Sequence, residues 1–600
     1  MTTPTIISSR IAALRVVMKR HGVAACLLPS SDPHLSEYLP AHWQGRQWFS
    51  GFTGSMGTLI VTTDFAGVWA DSRYWVQAEK ELAGSGIALM KINSGASTAH
   101  VEWLSENLVR GDVVAVDGAV LGLEAANSLS AALAENGVRL RTDLDVIAEA
   151  WPEREGLPSA AVYEHCAPYA SAPRAEKFSM LRNEMSRLGA QWHWLSTVDD
   201  IAWLFNLRGA DVSYNPVFLA HALIGMDSAT LYVGAGKIDA ALAAKLKTDG
   251  ITVADYAEAL PSLSQLPAGS SVLIDPRRVT FGTASAINKS VTRIEHINPT
   301  TLAKSQKNTN EIGHWRQAME QDGAALCEFF AWLEAAQAAG ETISELLIDQ
   351  QITAARARRP NFVSPSFGTI AAWNANGAMP HYHATPESHA IIKGDGLLLI
   401  DSGGQYLGGT TDITRTMAVG TLLPQQIIDC TLVLKGMLQL SMAVFPVGTL
   451  SPTLDILARA PIWASGVNYG HGTGHGVGYF LNVHEGPQSI SPQAQPAPTT
   501  AMLAGMVTSD EPGIYRAGKW GVRIENLVLT VPAAPSEFGE FLCFETLTLC
   551  PIDARTIDVN LLTAPERNAF NAYHDEVRRR LTPLVNGAAL DWLNRATVAI

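Results

Sequence analysis

Several things are scarce in this 600-residue chain, and each scarcity excludes a class of function. Its six cysteines, Cys26, Cys166, Cys327, Cys430, Cys543 and Cys550, are scattered without a CxxC pair. That excludes a disulfide-built scaffold and a cysteine zinc site, and it points to a reducing compartment. No apolar run reaches the ~18–20 residues a membrane helix needs, so no membrane span is expected. Basic charge is outnumbered: 43 Lys and Arg stand against 57 Asp and Glu, for a net charge of -14. A nucleic-acid binder would want a basic face, so nucleic acid is not an expected partner. Familiar catalytic signatures are missing too. There is no GxSxG nucleophile elbow, and His484-Glu485 lacks the second histidine of HExxH.

What is present reads as a large enzyme-like chain, 47% hydrophobic and 17% charged. Its length predicts two to four domains. The first acidic residue is Asp32, so the N-terminus is basic like a transit peptide. Ile11, Leu14, Val17 and Met18 follow helical spacing, and the strand-like CLLPSSD comes directly after. An amphipathic first helix is therefore the expectation. Residues 1–157 mix short apolar runs with helical stretches, an α/β pattern. WPEREGLP reads as a linker, after which the plan restarts over 158–303. WFSGFTGSMGTLIVTTDFAGVWAD (48–71) faintly matches IAWLFNLRGADVSYNPVFLAHALI (201–224), which predicts two related α/β domains. From 304 to 600 a long helix precedes strands mixed with helices, an α+β pattern.

The chemistry gathers in that last region. In GLLLIDSGGQYLGGTTDITRT an apolar strand ends at Asp401 and a second strand carries Asp412. A hairpin turning between Tyr406 and Leu407 would set the two aspartates opposite each other, Cβ atoms about 4.5–5.5 Å apart. Carboxylates that close repel unless a cation lies between them. Taken alone, they also read as ordinary turn aspartates. WGVRIENLVLTV puts Arg523 and Glu525 on one strand face and Val522, Ile524 and Asn526 on the other. MVTSDEPGIY brings Asp510 and Glu511 to a Pro-Gly turn. GHGTGHGVGY has glycine at every second position from Gly470 to Gly478. It carries neither a phosphate-loop GK[ST] nor GxGxxG. If extended, it presents a bare face for close backbone packing and a second face with His471 and His475. His484 follows nearby. Asp401, Asp412, Glu511 and Glu525 with one neutral imidazole carry charge to match two divalent cations. Oxygen-rich ligands with one nitrogen suit Mn²⁺, Fe²⁺, Co²⁺ or Zn²⁺. Two such ions about 3.5–4 Å apart would clamp a bridging hydroxide and polarise a carbonyl.

DSGGQYLGGTTDITRT, HGTGHGVGYFLNVHEGP, TSDEPGIY and GVRIEN resemble the signature segments of the pita-bread metallopeptidases, in the order and spacing of the long three-domain Xaa-Pro aminopeptidases. ADSRYW, DDIAWLFNLRGADVSYNPVF and FETLTLCPID extend the resemblance along nearly the whole chain. It implies two α/β creatinase-like domains (1–157 and 158–303) and a pita-bread α+β catalytic domain (304–600). It also implies removal of an N-terminal residue that precedes proline. Asp401 and Asp412 would hold one metal, and Asp412, His475, Glu511 and Glu525 the other, with Asp412 and Glu525 bridging and Mn²⁺ the expected ion. His381, His471 and His484 would line the substrate site, Glu511 would shuttle a proton, and Arg523 would support the carboxylates. Arg73 resembles a substrate-contacting arginine that reaches a neighbouring subunit's site. A cytoplasmic homodimer acting on peptides with penultimate proline is implied. Trp373 and Pro380 replace small and aliphatic residues near His381, so the pocket there is expected to differ. A prolidase would share the metal site. A creatine-type amidinohydrolase or a peptide-binding module would have lost ligands that are intact here.

Overall fold

The computed structural model describes residues 4–93, 95 and 97–600. They fall into two compact units, 1–301 and 302–600. The first unit opens with a helix, Pro4–His21, that buries Ile7, Ile11, Leu14, Val17 and Met18. Spacing of 3 and 4 puts these residues on one stripe, which packs into the core with Phe49, Phe52 and Val61.

Two six-stranded sheets follow, and they repeat one plan. In the first, Ala25–Pro29 pairs antiparallel with Thr58–Thr62, which pairs antiparallel with Ala66–Ala70, which runs parallel to Ala88–Lys91. On its other edge Ala25–Pro29 runs parallel to Val113–Ala115, and that strand to Arg139–Arg141. The second sheet copies every direction: Trp192–Leu195 takes the central place, flanked by Ala220–Gly225, Ala229–Val233 and Ile251–Asp255 on one side and Ser271–Ile274 and Thr292–Glu295 on the other. The two related α/β lobes expected from the faint repeat are therefore present. The repeat's strand signal is shifted, because the second lobe reaches Ala220–Gly225 only after a longer loop than the one before Thr58–Thr62.

The lobes meet through backbone and through buried histidine. Gly282 donates its N–H to the carbonyl of Gly118 (2.8 Å), and Phe281 to Leu121 (2.7 Å). The His34 ring stacks on His221 with centroids 4.5 Å apart. Its nitrogens lie 2.8 Å from the Ser196 carbonyl and 2.8 Å from the Tyr256 hydroxyl. Asp32 and the buried Asp211–Lys237 pair face the same cluster. Burial pushes the pKa of His34 down, against the pull of Asp32 and Asp211, and burial with His34 pushes that of His221 well down. The folded rings stay neutral, while an unfolded chain takes up protons below about pH 6.5. Stability from these groups is thus present at neutral pH and lost as pH falls. The unfolding midpoint of wild type should drop more than that of His221→Phe when pH goes from 7 to 5, measured by circular dichroism. Equal drops would sink this account.

The second unit begins at a helix capped by Asn308, whose side chain accepts from the N–H groups of Asn310 and Glu311 while Glu311 reaches back to the Asn308 N–H. That helix, Thr309–Ala338, packs with Glu345–Ala357 and Ala564–Leu581 against a three-stranded sheet of Ile370–Trp373, Gly396–Ser402 and Ile413–Val419. A six-stranded sheet includes Gly474–Gly476, Glu485–Ile490, Val507–Asp510 and Asn526–Pro532. Helices Pro424–Ser441 and Ser451–Trp463 pack against each other, and Leu434 and Ile462 share a core with Ile514, Val522 and Ile524. Among the described residues no helix is long and apolar enough to cross a membrane.

Candidate metal centre

Asp401 closes the strand Gly396–Ser402, as its apolar run predicts. The hairpin register departs from the expectation. Asp401 pairs with Thr414 and Ser402 with Ile413, because the turn falls at Leu407–Gly408, one residue later than the midpoint of the aspartates. Asp412 is therefore a diagonal neighbour of Asp401, two residues out of line. Such neighbours lie about 7–8 Å apart, still within reach of carboxylates that lean together. The charge of Asp401 does act on Asp412 and helps raise its pKa.

The remaining acids arrive from two other strands. Glu511 follows the strand Val507–Asp510, and its N–H is held by the Thr473 carbonyl at 2.8 Å. Glu525 lies in the break between Trp520–Arg523 and Asn526–Pro532, its N–H on the Thr414 carbonyl (3.1 Å) and its Oε2 accepting from the Thr414 hydroxyl (2.8 Å). His475 completes the group. Its Nε2 stands 3.6 Å from Asp412 Oδ2 and 3.4 Å from Glu511 Oε1. Ligand atoms of Asp412, His475 and Glu525 lie within 4.8 Å of one another. His475 Nδ1 sits 3.0 Å from the Gly476 carbonyl, a contact that fixes Nδ1 as the protonated nitrogen and leaves Nε2 as the electron-pair donor.

The carboxylates are divided between protein and something else. Asp401 gives Oδ2 to Arg523, while its buried Oδ1 has no hydrogen-bond partner. Glu525 gives Oε2 to Thr414, while its buried Oε1 has none. Burial and mutual repulsion raise the pKa of Asp412 and Glu525 well above the carboxylate range. Burial likewise lifts Glu511 to about 7, with Arg523 opposing and Asp401 adding. Burial would lower the pKa of Arg523, but Tyr515, Asp401, Glu511 and Glu525 hold it well above its ordinary value. Buried lone pairs left over, around an imidazole aimed at carboxylates, fit divalent cations. Asp510 is separate: its buried oxygens have no hydrogen-bond partner, and burial together with Glu511 raises its pKa well above the carboxylate range.

The alternating glycines are explained by what a Cβ would strike. At Gly474 it would come within 2.0 Å of the Ser509 carbonyl, at Gly476 within 2.4 Å of that of Glu485, and at Gly478 within 2.7 Å of that of Asn482. Only Gly474–Gly476 is regular strand, so the extended reading holds for the middle of the segment. The turn before it is shaped by the buried pair Arg459–Asp455. Arg459 donates to the carbonyls of Tyr469 (2.8 Å) and His471 (2.5 Å), and Asp455 accepts from the Thr473 hydroxyl (2.6 Å).

The other singled-out residues take these places. His471 Nε2 is 2.8 Å from the Tyr515 hydroxyl, which accepts from Arg523 at 2.7 Å. The rings of His484 and His475 meet edge to face at 4.2 Å. His381 follows Pro380, whose carbonyl lies 3.5 Å from Arg523. Arg73 belongs to the first unit, where it forms a two-pronged pair with Asp71. The sequence reading missed Tyr515, Thr414, Arg415 and Arg459. Thr414 and Arg415 act through Glu525, 111 and 110 residues on, and Arg459 and Tyr515 through partners that no local period marks.

Similarity to known proteins agrees with this geometry. The model of metallopeptidase family M24 matches residues 313–532, and that of the C-terminal region of such peptidases 540–600. The creatinase/prolidase N-terminal domain matches twice, over 10–146 and 153–311. A probable Xaa-Pro aminopeptidase P of Coprinopsis cinerea is 38% identical over 99% of this chain and 98% of its own length. Xaa-Pro aminopeptidase 1 of Dictyostelium discoideum is 36% identical over 98% and 96%. The chain belongs to metallopeptidase family M24. A crystal structure of an X-prolyl aminopeptidase from Caenorhabditis elegans, described as a cytosolic enzyme with a di-nuclear active site, is 31% identical, covers 100% of both chains and superposes with a TM-score of 0.94.

Two outcomes test the centre of this M24 peptidase. Loading it with metal must expel protons from acids with raised pKa values, so apparent metal affinity should fall as pH drops through about 7. Calorimetric titration at pH 6.5 in two buffers of different ionisation enthalpy should then give different heats, and identical heats would contradict the protonated acids. Gly474→Ala should cut metal affinity by roughly 10–100-fold, because its Cβ would displace the strand leading to Glu511. Gly472→Ala, whose Cβ would meet the Ser491 side chain at 3.0 Å and the Ile490 carbonyl at an ordinary 3.5 Å, should be much milder.

Proposed function

We propose that the chain removes the N-terminal residue from peptides whose second residue is proline, using two divalent metal ions, with Mn²⁺ the expected ion. The observation that carries this reading is the division of the buried acids: Asp401 and Glu525 each tie one oxygen to the protein and keep the other without a partner. The proposed ligands are Asp401, Asp412, His475, Glu511 and Glu525. When bound, such ions supply Lewis acidity and charge neutralisation at the scissile carbonyl.

The rest of the work falls to side chains. An Xaa-Pro bond is a tertiary amide without an N–H, so its departing nitrogen must gain a proton. Glu511, a carboxylate at the edge of the cluster, is assigned the task of taking a proton from water and handing it to that nitrogen. His381, His471 and His484 are assigned hydrogen bonds to the carbonyl oxygen and the developing oxyanion. Arg523 holds Asp401 in place through its Oδ2. Arg73 is assigned a substrate contact in a homodimer. Full-length similarity to proteins named Xaa-Pro aminopeptidases, with both N-terminal domains matched, favours this activity over a dipeptidase. The cytosolic description of the C. elegans protein supports a cytoplasmic location.

The deciding experiment compares Arg-Pro-Pro with Arg-Ala-Ala, using metal-stripped protein with and without Mn²⁺ beside Asp412→Ala. Release of arginine from the proline peptide alone, restored by Mn²⁺ and reduced by at least ~10³-fold in the variant, is the expected result. Equal cleavage of both peptides would remove the proline specificity. Binding without cleavage under any metal would mark a peptide-binding module.

A further inference from the structure

Glu345 is a fully buried carboxylate with no place in the metal centre. It opens the helix Glu345–Ala357 and gathers donors from a distant loop. Oε1 accepts from the Trp373 N–H at 2.7 Å and the Asn376 side-chain amide at 2.9 Å. Oε2 accepts from the Tyr382 hydroxyl at 2.8 Å and the Ala390 N–H at 2.7 Å. The Glu345 N–H completes the link on the Ala390 carbonyl at 3.1 Å. One carboxylate therefore ties the start of the 373–390 loop to its end and holds two points between them.

His381 stands between those points, beside Tyr382. On its other side the loop rests on the strand Trp520–Arg523. A Cβ at Gly521 would reach 1.7 Å from the Gly377 carbonyl, so the two backbones touch there. Arg523 reaches the Pro380 carbonyl at 3.5 Å and also bonds Asp401. The loop is thus fixed to the metal side by Arg523 and Gly521, and to the helical side by Glu345. Taking a carboxylate fully out of water is costly, and four hydrogen bonds offset that cost only while the loop keeps this shape.

We propose that Glu345 is a positioning residue of the substrate site: by closing the 373–390 loop it sets where His381 stands. Its hydrogen bonds run to Trp373, Asn376, Tyr382 and Ala390, so it acts through Tyr382, Asn376 and the loop backbone. The inference rests on the assignment of His381 to the substrate site.

The test is a double-mutant cycle on the Mn²⁺-loaded protein, with Glu345→Gln, His381→Asn and both together, reading kcat and KM on Arg-Pro-Pro, metal content and unfolding midpoint. Glu345→Gln should keep both metals and lower kcat/KM by about 10–100-fold, as a small misplacement of a binding group does. The double variant should be no worse than His381→Asn by more than about threefold, because the two residues act as one unit. Losses that multiply in the double variant, or full activity of Glu345→Gln, would overturn the inference. Full activity of His381→Asn would instead remove the role assigned to His381, and the inference with it. Should Glu345→Gln not fold, Tyr382→Phe removes the hydroxyl link beside His381, with its contacts to Asn376 and the Ser388 carbonyl, and must show the same non-additivity.

Discussion

Four carboxylates converge in the interior of the second unit, and much of that unit's detail is what holds them together. Burial and mutual repulsion press Asp412, Glu511 and Glu525 toward the protonated form. Such a cluster would loosen unless its members were held by groups outside it. Three of the four accordingly have an anchor: Arg523 on Asp401, Thr414 on Glu525, Ser509 on Glu511 at 3.2 Å. One oxygen of Asp401 and one of Glu525 are left unsatisfied, and such buried lone pairs without a partner fit a cation site.

The ends of this arrangement were legible in the sequence, and the middle was not. Glycine at every second position announces close backbone approach, and the contacts at Gly474 and Gly476 are of that kind. A strand ending in Asp401 and an acid in each of two later motifs are readable because strand periodicity and turn residues are local. The register of the 401–412 hairpin is not local. It depends on whether the turn takes Tyr406–Leu407 or Leu407–Gly408, and a shift of one position moves the pairing by two residues. Glu345, Arg415 and Arg459 are less legible still. Each is a single charged residue within a helix or strand, of the type usually solvated. Their partners lie across the fold, at Trp373 and Ala390, at Glu525 and Cys550, and at Tyr469 and His471.

The first unit shows the same limit at larger scale. Two sheets of identical strand order and direction arise from segments with little residue-by-residue likeness. What the lobes share is the alternation of apolar runs and turns, which is enough to specify a sheet, while loop lengths drift. The repeat is therefore visible as a plan and blurred as an alignment. The groups that join the lobes, His34 with Ser196, His221 and Tyr256, have no periodic signature.

The buried arginines of the second unit divide the labour in a way that protects the acids. Arg415 spreads its guanidinium over the carbonyls of Thr414 (2.9 Å), Glu525 (2.6 Å), Cys550 (2.8 Å) and Pro551 (3.1 Å). Arg459 does the same for Tyr469 and His471. A planar fork of five N–H donors can satisfy several carbonyls at once, which a lysine ammonium cannot do in the same geometry. Bonds to carbonyl dipoles fix the backbone under Glu525 and His471 without taking a carboxylate oxygen of the cluster. Of these arginines and Arg523, only Arg523 bonds a carboxylate of the cluster, and it takes one oxygen of Asp401. Had the frame been held by ion pairs to the acids themselves, each pair would have competed with the cations for the same lone pairs. Fixing the backbone through carbonyls leaves the four carboxylates rigidly placed and still short of positive charge, and a cluster in that state favours divalent ions over any further side chain.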